Sequence, residues 1–80
     1  MLHVRIISDY PADPDLTGWP AETTDVTICL PDGFATNAAE AHAKINALIE
    51  AGEEFEIPSA DEAPLEFSPE LIRQVVVWEG

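Results

Sequence analysis

This chain is poorest in positive charge. Arg5, Lys44 and Arg73 are its only bases, against sixteen acids, and the formal net charge is −13 over 80 residues. No base separates Arg5 from Lys44 or Lys44 from Arg73, so most carboxylates have no basic partner nearby in sequence. A surface of this sign repels phosphate backbones and anionic lipid, which argues against direct binding to nucleic acid or membrane. Cys29 is the single cysteine. It has no intrachain disulfide partner, as suits a reducing compartment. No apolar run approaches the roughly 20 residues of a spanning helix. Met1–Ile7 is too short for a signal-peptide apolar region and lacks a cleavage pattern. These absences predict a soluble, cytoplasmic protein.

What is present supports a folded chain. Hydrophobic residues make up 46%, which is normal for a globular domain and opposes disorder despite the charge. The length predicts one domain spanning residues 1–80, with a thin core. Ala38 to Ala51 is the one long helical pattern. Ala41, Ile45, Leu48 and Ile49 recur at helical spacing, and Asn37 with Glu40 has the form of a reciprocal capping box. Gly52 is placed to end the helix. Glu50, Glu53 and Glu54 crowd that end, where the helix dipole favours bases.

The other elements read as strands. Leu2, Val4 and Ile6 alternate with His3 and Arg5, and Val26, Ile28 and Leu30 alternate with Thr27 and Cys29. Between them, Asp9–Thr24 carries Pro11, Pro14, Gly18 and Pro20 and predicts a long loop, with Trp19 expected to fold back on the core. Phe34 is expected to pack near the first helical turn. Phe55 and Ile57 face inward with Glu54 and Glu56 outward, and Leu65–Phe67 is a short strand that could pair with them. Ser68-Pro69-Glu70 starts a short helical turn before the strand-forming Val75–Trp78. The predicted fold is α+β, ordered β-β-α-β-β-β. Its antiparallel or mixed sheet has 4–5 strands and one α-helix packed on one face. The other face stays partly open and could form a dimer.

Catalytic and metal signatures are missing. Asp9, Asp13 and Asp15 lack the glycine and terminal glutamate of an EF-hand loop. His3 and His42 lie on different elements and lack zinc spacing. Nothing in the sequence sets a base and an orienting group around Cys29. The serines lie in turns or caps, with no nucleophile elbow. The expectation is a non-enzymatic protein without metal or cofactor. The carboxylates themselves are the candidate site. Glu50, Glu53, Glu54, Glu56, Asp61, Glu62 and Glu66 would form one patch; Asp9, Asp13, Asp15 and Glu22 would form another. A dense field of unpaired carboxylates suits a basic nucleic-acid-binding partner, with salt-sensitive attraction.

In size, charge, single-domain compactness and lack of catalytic motifs the chain resembles small acidic phage proteins that mimic DNA. It particularly resembles the anti-CRISPR inhibitors of type I surveillance complexes. The resemblance implies a stoichiometric inhibitor that occupies the basic DNA-binding channel of a CRISPR surveillance complex, needing neither cofactor nor turnover. The protein itself would be a monomer or homodimer. Two other readings fit the composition: an accessory or structural phage protein using Trp19, Val76 and Trp78 on an apolar sheet face, and a small halophilic domain.

Overall fold

A computed structural model describes residues 1–11 and 21–80. The expectations for Asp13, Asp15 and Trp19 fall outside those residues. The fold is α+β. Among the described residues five strands flank one long helix: β1 (Leu2–Tyr10), β2 (Glu22–Cys29), α1 (Ala38–Glu50), β3 (Phe55–Ile57), β4 (Leu65–Phe67) and β5 (Ile72–Glu79). A 3₁₀ turn at Pro69–Leu71 leads into β5. The strands divide into a three-stranded antiparallel sheet, ordered β2-β1-β5, and a separate β3-β4 hairpin.

Alternation decides which face is buried. Val4, Ile6 and Ser8 of β1 and Ile28 of β2 point inward, with Leu30 just beyond it. Ala41 and Ile45 of α1 and Phe55, Ile57 and Phe67 of the hairpin close over them. At roughly 1.5–3 kcal/mol for each large apolar side chain removed from water, this small cluster supplies most of the driving force. It also explains why the hairpin orders, since an isolated two-stranded ribbon is marginal in water. One backbone bond ties the hairpin connection to the sheet edge, where Ala60 N–H donates to the Cys29 carbonyl at 2.8 Å.

The helix begins as its sequence predicts, with one change. Asn37 Oδ1 accepts from the Glu40 N–H at 2.8 Å. The Glu40 carboxylate accepts the Thr36 hydroxyl at 2.7 Å, in place of the expected return bond to Asn37. A hydroxyl one residue earlier is within reach of the same carboxylate. At the other end Gly52 has φ +75°, and its N–H donates to Ile49 O at 3.1 Å. That left-handed conformation is open to glycine at little cost.

Two boundaries differ from expectation. β1 and β2 run on into the predicted loop, pairing Asp9 with Thr23 and Tyr10 with Glu22. Cross-strand bonding carries pairing past the point where apolar alternation stops, helped by Thr23 Oγ1 donating to Asp9 Oδ1 at 2.7 Å. β5 begins at Ile72, three residues before the valine run, with a bulge opposite Ile7 and Ser8. Ser68 precedes the 3₁₀ turn but makes no side-chain capping bond.

Candidate functional site

The first patch is built on the helix end and the hairpin. Glu50 closes α1, and the turn at Gly52 sends Glu53 and Glu54 straight on into β3. Burial of Phe55, Ile57 and Phe67 forces Glu56 and Glu66 onto the outer face of the hairpin. There the register sets these two glutamates directly opposite each other. Side chains so opposed stand roughly 4.5–5.5 Å apart at Cβ, and like charges there repel. Asp61 and Glu62 occupy the connection between the strands. Their backbone N–H groups donate to Ser59 Oγ at 3.4 and 3.3 Å, leaving both carboxylates exposed. All seven acids of this patch are exposed.

No base answers them. Arg5 forms a two-pronged pair with Asp25, its Nε donating to Oδ1 at 2.8 Å. Lys44 lies 3.7 Å from Glu40, bonds the Phe34 carbonyl and sits over the Phe34 ring. Arg73 Nε lies 3.6 Å from Asp9. The three bases are therefore engaged away from the patch, and the last turn of α1 carries none. The helix dipole adds partial negative charge to the same end.

The second expected patch is only partly described. Asp9 points to the sheet face opposite the helix, where it takes both the Thr23 hydroxyl and Arg73. Glu22 is exposed at the start of β2. An open hollow of ≈450 Å³ lies between Asp9, Glu22, Thr23 and Glu70. A smaller one of ≈180 Å³ lies near Leu2, Leu30, Thr36 and Glu79, below the roughly 300–1,000 Å³ usual for a small-molecule pocket.

One cluster joins all three strands of the larger sheet. The register sets His3 between Cys29 and Trp78. His3 Nδ1 lies 3.3 Å from Cys29 Sγ, and its ring stacks on Trp78 with centroids 5.5 Å apart. Residues so far apart in sequence meet only through strand pairing, so no local motif announces them. Among the described residues, no group of three or more His, Cys, Asp or Glu side chains is placed to hold a metal ion. Among the described residues, no helix is long and apolar enough to cross a membrane.

No protein-family model, curated protein or solved structure matches the chain.

Proposed function

We propose that this protein is a stoichiometric binding protein that docks its acidic hairpin side into a basic nucleic-acid-binding channel of a protein partner, as a DNA mimic. The observation that carries this reading is the run of seven exposed acids from Glu50 to Glu66 with every base committed elsewhere. DNA gains binding energy from basic grooves by releasing counterions, and a dense carboxylate surface competes for the same groove charges. The work is electrostatic and needs no turnover or cofactor. The resemblance to acidic phage inhibitors makes a type I CRISPR surveillance complex the first partner to test.

Purified complex is passed over immobilised protein across a salt gradient, with and without duplex DNA. Retention at low salt that is lost to salt and to competing DNA is expected. Glu54→Lys with Glu56→Lys should lower affinity at least about tenfold, because close interfacial charge pairs couple by more than about 1.4 kcal/mol. Retention indifferent to DNA and to these substitutions overturns the mimicry. An absence of retention at every salt concentration removes this partner.

A further inference from the structure

Strand pairing sets a base against the one nucleophilic sulfur of the chain. Leu30 N–H donates to the Leu2 carbonyl at 2.9 Å, which makes Leu2 and Leu30 a hydrogen-bonded pair. His3 and Cys29 are the next pair along. They are therefore of the other kind, in which side chains approach more closely. The result is the 3.3 Å separation of His3 Nδ1 from Cys29 Sγ. With its own proton on Nε2, the imidazole accepts the proton of the thiol. On the other side of His3 the Trp78 ring stacks at an interplanar angle of 21° and holds the plane of the imidazole. A base within reach of a nucleophile, oriented by a third group, is the arrangement that activates a thiol.

The pair is reachable. His3 and Cys29 are half-buried, and Trp78 is 36% exposed. The charged groups around it lie on every adjoining element. Arg5 of β1 and Asp25 of β2 are bound to each other. Glu79 of β5, next to Trp78, alternates to the opposite face. Asp61 and Glu62 follow Ala60, whose N–H bonds the Cys29 carbonyl, and both are exposed. Of all these groups, only the imidazole bonds the sulfur.

We propose that Cys29 is a thiol-modification site, which His3 activates for exchange with a small cationic disulfide. His3 Nδ1 takes the proton from Sγ. The sulfur attacks one sulfur of the reagent, and a new S–S bond forms as the reagent's own S–S bond breaks. The departing thiolate takes the proton from the imidazole and leaves as a thiol. One disulfide is lost and one is gained, so no further oxidant is consumed. The sequence holds no second cysteine to displace the adduct, which persists until an external thiol removes it. The net charge of −13 selects the reagent, drawing in a cation and repelling an anion. The site is separate from the acidic hairpin, and its chemistry does not depend on docking there.

The test uses cystamine as the cationic disulfide and oxidised glutathione as the anionic one, with the adduct followed by intact mass spectrometry. One adduct per chain is expected, reversed by dithiothreitol. At neutral pH the folded protein should react with cystamine at least about tenfold faster than the same chain unfolded in urea, and than His3→Gln. The advantage over His3→Gln should vanish well above about pH 8.5, where a thiol ionises without help. A merely structural His3 would not produce that convergence. Cystamine should outpace oxidised glutathione at about 0.05 M salt, by a margin that shrinks at about 0.5 M. Circular dichroism confirms that His3→Gln folds, and the comparison with the unfolded chain stands without that variant. Folded protein that reacts no faster than unfolded overturns the proposal. So does a folded His3→Gln that matches the wild type at neutral pH, or a preference for the anionic disulfide.

Discussion

Phe67→Ala tests whether the acidic hairpin is held to the domain by burial alone. Phe67 is 6% exposed and lies 6.0 Å from the Phe55 ring. It is one of three hairpin residues in the core, with Phe55 and Ile57. Truncating a buried phenylalanine costs about 3–5 kcal/mol. A domain of this length has roughly 4–12 kcal/mol in all. The substitution thus removes a large share of the total and lowers Tm by at least about 12 °C, at about 4–8 °C per kcal/mol. Phe67→Leu keeps most of the apolar volume and should cost only about 1 kcal/mol. Urea unfolding measures the global loss, and amide exchange locates it. Exchange at Glu56 and Glu66 should accelerate well beyond that at Ile6 and Ile28, because the hairpin opens before the three-stranded sheet. Docking to a basic partner should weaken with it, since Glu56 and Glu66 lose their fixed register. A loss below about 1 kcal/mol refutes the assignment of burial as the clamp. Hairpin amides that stay protected while the sheet opens would refute it equally.

Two further outcomes follow from local chemistry. Asn37→Ala removes the bond to the Glu40 N–H and should destabilise the protein by about 1 kcal/mol, read from urea unfolding, with helical circular dichroism fraying from the N-terminal end. The hydrogen bond and charge of Arg5 hold the Asp25 carboxyl below its ordinary pKa, and the Thr36 hydroxyl, aided by the nearby Lys44, does the same for Glu40. A depressed folded pKa means that these groups stabilise the fold above the ordinary carboxylate range. That contribution is lost as pH falls through the range to the folded values. Carbon-13 titration should find Asp25 lowered in the wild type and returned toward normal in Arg5→Gln, and the stability gap between the two should close in acid. An Asp25 titration that ignores the substitution would contradict the pairing.

Much of the fold is readable locally, because local patterns act over a few residues. Inward Val4 and Ile6, inward Phe55 and Ile57, the Asn37 cap and the Gly52 stop follow from periodicity and backbone preference, and all appear in the structure. Less of the site is readable this way. The acids of the first patch are plain in the sequence, and alternation puts Glu54 and Glu56 outside. Their standing against Glu66 needs the hairpin register. Ser8 shows the limit from the other side: a polar residue at the end of an apolar strand, it is 2% exposed because pairing continues beyond it.

The sign and density of charge, the order of the elements and the inward faces of the first three strands are already legible in the chain read residue by residue. These are properties of composition and of short-range backbone geometry. Tertiary structure decided that the first and last strands are neighbours, that five strands split into three and two, and that each arginine neutralises an acid on the open face. It also brought His3, Cys29 and Trp78 together. Each of these depends on pairing between residues far apart in the chain. That choice is made by the total burial and hydrogen bonding of the assembled sheet, and no local window of sequence contains it.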